Sequence, residues 1–331
     1  MRKTIWIAVL AAALILPSIT LAAAPVEVGL GTLRLGGNLQ TVYGYSQTGK
    51  WSFAAKRVRL ILNGDLPEQR LKYLIQLEAL TSPALLDARV QAVGWLPKTD
   101  IYLGQFIPAF SLYMPRSTAA LEMVNYPVVL TKFAMWRQVG LQTTTKLGSL
   151  EGNLGVFNGY PASNPFTNAS FDDPGKDLLF SSSYKPFGFV QFLGYCWLGN
   201  AVLAREADML RNRFGGGFSI EHKLSQSMLL TVRSEAIAGQ DRLPFSGGLV
   251  KSGGYYAHLG LRPHPKIEVL TRWDKFDTER SDDGTAWLTL GANYYLSGTN
   301  AMIYANYMRK KVEQPGAPHN DEFAVQVQLA F

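Results

Sequence analysis

The sequence predicts an all-β protein, a transmembrane antiparallel β-barrel of roughly sixteen strands with one long loop folded into its lumen. Three observations lead there. In the last nine residues, Phe323, Val325, Val327, Leu329 and Phe331 alternate strictly with Ala or Gln, so an extended chain carries one apolar face and one polar face up to its end. Arg2 and Lys3 precede a short apolar run from Ile5 to Leu16 that ends in small residues, the pattern of a secretory leader. Beyond it no stretch is long and apolar enough for a spanning helix of about 20 residues. Yet 47% of the chain is hydrophobic, with 15 Tyr and 17 Phe scattered in alternation, as a barrel wall requires.

The leader is expected to be residues 1–22, cut after Ala22, where Thr20 and Ala22 supply the small pair; residues 23–331 form the barrel domain. No Cys stands at the junction to take a lipid anchor. The single Cys196 excludes an internal disulfide, so an exported chain must close by hydrogen bonding instead. The formal charge of +7 falls to +5 once Arg2 and Lys3 are removed. That balance favours anions in a confined lumen and does not carry a nucleic-acid signature.

Each segment supports the same plan. A Gly-rich opening strand from Thr32 to Ser46 is the expected partner of the closing strand. From Ser52 to Gly64, Val58, Leu60 and Leu62 share one face, and Arg57, Arg59 and Asn63 the other. Leu71 to Leu80 places Tyr73, Ile75 and Leu77 opposite Lys72, Gln76 and Glu78, and Ala84 to Leu96 places Val90 opposite Asp87 and Arg89. Val58, Leu60, Ile75, Val90 and Leu329 are thus expected to face the lipid, and Arg59, Gln76, Arg89 and Gln328 the water. After the strand Ile101–Phe106 the alternation stops from Ile107 to Phe133, where Pro108, Pro115 and Pro127 interrupt it. A structureless connection of that length is often functional. Its Phe110, Tyr113, Met114, Leu121 and Val129 are too apolar for a solvated coil. Hairpins follow from Ala134 onward, with a polar external loop from Pro161 to Lys176.

Enzyme signatures are missing: there is no Gly-x-Ser-x-Gly elbow, no His-Glu-x-x-His, no Gly-x-x-x-x-Gly-Lys and no Cys pair, so no enzymatic activity and no cofactor or metal is expected. Gly215-Gly216-Gly217 reads as a bend in a strand, since no helix start follows it. The expected inward row holds Arg57, Arg59, Lys72, Glu78, Asp87, Arg89, Lys146, Arg233, Glu235, Arg262, Glu268, Arg272 and Asp274. Two readings of it stand: arginines that attract anions, or an unselective wall in which Arg89 and Arg272 pair with Asp87 and Asp274.

The order of Lys56-Arg57-Val58-Arg59-Leu60, Leu86-Asp87-Ala88-Arg89-Val90, Leu103-Gly104-Gln105-Phe106-Ile107-Pro108-Ala109-Phe110, Arg137-Gln138-Val139-Gly140 and Leu290-Gly291-Ala292-Asn293-Tyr294 resembles the phosphate-selective porin O and P family. The resemblance implies a water-filled channel in the bacterial outer membrane for passive diffusion of small anionic solutes such as phosphate, a homotrimer surrounded by outer-membrane lipid. The anion-binding, pore-lining residues are expected at Arg57, Arg59, Lys72, Arg89, Arg116, Lys132, Arg233 and Arg272, and the resemblance implies that the loop Ile107–Phe133 narrows the lumen. The family's phosphate-specific members carry lysines on that loop; here it offers Arg116, Lys132 and an opposing Glu122. A general diffusion porin, or a barrel with a structural or adhesive role, is the alternative. The terminal Phe331 resembles the residue by which the barrel-assembly machinery recognises such proteins.

Overall fold

A computed structural model describes residues 26–331 apart from 30, 48, 50, 81–84, 134, 160–175, 203–210, 243–247, 280–283 and 313–319. The expected leader, residues 1–22, and nearly all of the polar loop expected from Pro161 lie outside the described residues. A short strand β1 (Val26–Val28) precedes the barrel strands β2 (Gly31–Ser46), β3 (Ser52–Leu66), β4 (Leu71–Glu78), β5 (Leu85–Leu96), β6 (Thr99–Phe106), β7 (Gln138–Leu147), β8 (Leu150–Phe157) and β9 (Lys176–Phe187). Then come β10 (Val190–Val202), β11 (Arg211–Lys223), β12 (Leu229–Arg242), β13 (Leu249–His264), β14 (Ile267–Thr278), β15 (Thr285–Ser297), β16 (Ala301–Val312) and β17 (Asn320–Ala330). Consecutive strands from β2 onward pair antiparallel, and β17 returns to β2 with Leu329 opposite Leu39 and Ala330 opposite Asn38. Sixteen strands therefore close the barrel and leave it no open edge.

The closure includes the final residue. Phe331 N–H donates to Gly37 C=O at 3.0 Å, and Gly37 N–H donates back to Phe331 C=O at 2.9 Å. Gly37 has to lack a side chain, because a Cβ there would stand 2.9 Å from the Phe331 ring and 2.5 Å from the Arg59 carbonyl.

Alternation sorts the wall as expected. Leu60, Ile75, Val90, Leu329 and Phe331 are exposed on the outside, with Val58 half-buried beside them, while Gln326 and Gln328 are buried inside. In water such an outer surface would be untenable, whereas against acyl chains it is the lower-energy arrangement. Aromatic clusters mark both ends: Tyr43 stacks on Trp51 at 5.1 Å near one rim, and Phe187 on Phe189 at 5.7 Å at the other. Among the described residues no helix is long and apolar enough to cross a membrane.

The segment between β6 and β7 folds inward and is not structureless. It contains a 3-10 turn, Thr118–Ala120, and a helix α1, Val128–Phe133. As a result β7 begins at Gln138, later than the expected Ala134. The sequence shows no helix signal because six residues are too few to display a period. Packing decides instead: Val129, Leu130 and Phe133 are buried, with Phe133 edge-on to Phe276 at 5.3 Å. Phe110 lies 4.4 Å from Tyr195, and Phe110, Met114, Val129 and Leu130 have no solvent exposure. Part of the barrel interior is thus a dry apolar core between the loop and the wall.

Candidate functional site

A loop can occupy a barrel lumen only if its backbone polar groups find partners. The inward wall supplies them. Gln40 Nε2 donates to Thr118 C=O at 3.3 Å, Gln328 Nε2 to Ala119 C=O at 2.9 Å, and Asn293 Nδ2 to Glu122 C=O at 2.8 Å. Val124 N–H donates to Asn306 Oδ1 at 2.9 Å and Val128 N–H to Asp274 Oδ1 at 3.0 Å. Arg272, held by Asp274 at 2.8 Å, donates to the carbonyls of Asn125 at 3.0 Å and Tyr126 at 3.1 Å. Glu122 lies between Arg116 at 3.0 Å and Arg233 at 3.2 Å. Burial pushes its carboxyl upward, but the two guanidiniums outweigh that and hold it at about 2. The Tyr113 hydroxyl, which accepts from Arg233 at 3.1 Å, is pushed up to about 12 by burial and then by Glu122.

Tied down on that side, the loop leaves a cavity of about 850 Å³ against the inner faces of β3 to β8. Guanidiniums dominate its charge, and their pairing differs. Arg59 is bound to Glu78 at 3.0 Å and to Thr118 at 2.9 Å. Arg137 is bound to Asp87 at 2.9 Å. Arg57 donates to the neutral Gln40 amide at 2.6 Å and lies 5.8 Å from the Tyr126 ring centre, and Arg89 lies 5.3 Å from that of Tyr102. Among the described residues, neither Arg57 nor Arg89 forms an ion pair with a carboxylate. Their charge on the cavity is therefore uncompensated by direct pairing.

No family model and no curated protein matches the sequence. The backbone, in contrast, is similar to solved outer-membrane structures. The anion-selective porin from Comamonas acidovorans is 15% identical with a TM-score of 0.69, over 91% of this chain and 100% of that one. The chain has an outer-membrane porin fold. The trimer form of OmpT, an outer membrane protein of Vibrio cholerae, is 9% identical with a TM-score of 0.66 over 92% of this chain and 100% of its own. The outer membrane channel DcaP of Acinetobacter baumannii is 11% identical with a TM-score of 0.64 over 94% and 100%.

Within this porin barrel the eight residues expected to line the pore fall into three groups. Arg57, Arg59, Arg89 and Arg116 border the cavity. Lys72 stands at the short-turn end, exposed and 3.9 Å from Asp65, while Lys132 is exposed on α1 above the Phe276 ring. Arg233 and Arg272 are about as buried as residues can be, at 2% and 1% exposure, and hold the loop rather than face the passage. Alternation places them correctly on the inner wall but carries no information about what covers it.

Strict alternation also misses Lys56, which it assigns to the lipid side with Val58. A β-bulge between the Gln40–Arg57 and Thr41–Ala55 pairs inserts one extra residue, so Lys56 and Arg57 both turn inward. Lys56 Nζ then donates to Asn125 Oδ1 at 2.6 Å and anchors the loop. A lysine in the lipid-facing register was the available signal. Gly215, in the Gly run read as a bend, makes room for packing: a Cβ there would stand 2.4 Å from the Tyr195 ring, which crosses it to donate to Glu235 at 2.6 Å.

Proposed function

We propose that this chain is an outer-membrane porin, a passive channel for small solutes that favours anions, and not a catalyst. The observation that carries the reading is the charge on the cavity wall: Arg57 and Arg89 stand without an ion-pair partner among the described residues, while Glu78 and Asp87 are each held by another arginine. A constriction of one sign between low-dielectric walls concentrates the opposite ion. The similarity in fold to an anion-selective porin supports it. Export by the leader, insertion through recognition of Phe331 and assembly as a trimer, the form in which OmpT was solved, belong to the same proposal.

Phosphate is expected among the permeating anions on the strength of the motifs that resemble the phosphate-selective O and P family. Dedicated phosphate selectivity is not part of the proposal, because the loop lacks the lysine cluster and its Arg116 is paired with Glu122. The test is planar-bilayer conductance of the purified protein in a salt gradient. A reversal potential favouring chloride over potassium at 0.1 M salt supports the reading, and a cation preference overturns it. Removing residues 117–124, which tie the loop across the lumen, should raise the conductance; an unchanged conductance would mean that the loop does not set the width.

A further inference from the structure

Both unpaired guanidiniums belong to the same kind of arrangement. Arg57 faces the Tyr126 ring, and Tyr126 meets Trp136 edge-on at 5.5 Å. Arg89 faces the Tyr102 ring, and Tyr102 lies 6.1 Å from Phe106. Tyr102, Tyr126 and Trp136 all line the same cavity. Its inner strands add apolar surface where a water-filled lumen has no use for it. Leu74 stands directly opposite Arg89, and Leu86 is turned inward by a register irregularity between the Gln76–Asp87 and Leu77–Leu85 pairs.

We propose, building on the porin reading, that this passage selects aromatic carboxylates over small inorganic anions. A guanidinium lying against an aromatic face can still turn edge N–H groups toward a carboxylate, of which Arg57 commits Nη1 to Gln40, and the ring holds it in place. The neighbouring aromatic edges and Leu74 then offer a flat apolar body a surface within reach of the charged group. Such a ligand is bound at both ends. An inorganic anion must lose its hydration to the same two guanidiniums and gains nothing from the rings. Of the carboxylates that line this cavity, Glu78 and Asp87 are engaged by Arg59 and Arg137, and Glu151 lies 4.0 Å from Lys146.

The experiment measures block of the chloride current through the purified protein in planar bilayers by benzoate, acetate and inorganic phosphate. Benzoate should reach half-block at a concentration about ten-fold lower than acetate or phosphate, the size expected for partly burying one phenyl ring. Tyr102→Leu combined with Trp136→Leu should bring benzoate to the acetate level, whereas Tyr102→Phe, which keeps the ring, should retain the preference. Equal block by benzoate and acetate in the unaltered channel, or strongest block by phosphate, overturns the inference alone. A channel that prefers potassium to chloride overturns the anion reading beneath it. If the double leucine variant fails to assemble, the unaltered protein and Tyr102→Phe still decide the matter.

Discussion

Arg137 takes the Asp87 carboxylate, its Nη2 lying 2.9 Å from Oδ2, and so leaves Arg89 unpaired two residues farther along β5. Both partners are 7% exposed at their side chains, and removing one half of a buried pair strands the other. Arg137→Met should therefore destabilise the barrel by about 3 kcal/mol, read as a lower urea midpoint in lipid. The freed Asp87 would also neutralise Arg89, so the reversal potential should shift toward cations. A stable variant with unaltered selectivity would show that the pair does not shape the field.

Arg57 and Arg59 should not be equivalent. Arg59 already has Glu78, and Arg57 has a neutral amide. Arg57→Gln should lower the chloride-to-potassium permeability ratio more than Arg59→Gln. The difference should fade with salt as the screening length falls from about 10 Å at 0.1 M to about 3 Å at 1 M. Equal effects of the two variants at 0.1 M would count against direct pairing as the deciding factor.

The docking of the loop should be sensitive to acid. Glu122 titrates in the folded protein at about 2, below an ordinary carboxylate near 4.5. A depressed carboxylate contributes stability that is complete above its unfolded value and lost as pH falls through the folded one, here about 3 kcal/mol in all. Conductance should hold steady from pH 7 to about 5 and rise as the loop loosens toward pH 2. Glu122→Gln should show the raised conductance at neutral pH, although Arg233 retains Glu221 at 2.7 Å and so keeps part of its anchorage. A conductance independent of pH down to 2 would remove Glu122 from the docking account.

The end of the chain should matter for assembly more than for conduction. Deleting Phe331 removes both hydrogen bonds to Gly37 and an outward aromatic from the rim. Gly37→Val leaves Phe331 in place but collides with its ring. Both variants should accumulate less heat-resistant folded barrel on unboiled gels, and the fraction that folds should conduct normally. Normal yields of both would detach Phe331 from closure.

By itself the sequence determined the barrel, the side of the wall on which most residues lie, and the position of the inward loop. These follow from a period of two against lipid, a rule each residue obeys with reference only to its neighbours in the chain. Arg57 and Arg89 were legible as inward cations for that reason. What only the tertiary structure decided is which charges remain uncompensated, because ion pairing depends on chain segments far apart: Arg137 reaches Asp87 across 50 residues, and Arg233 meets Glu122 across 111. The same holds for Lys56, whose side was reversed by one bulged residue, and for Arg233 and Arg272, which the loop covers. Alternation is a local property of a strand, whereas a bulge, a buried pair and a filled lumen arise from how distant segments pack against it.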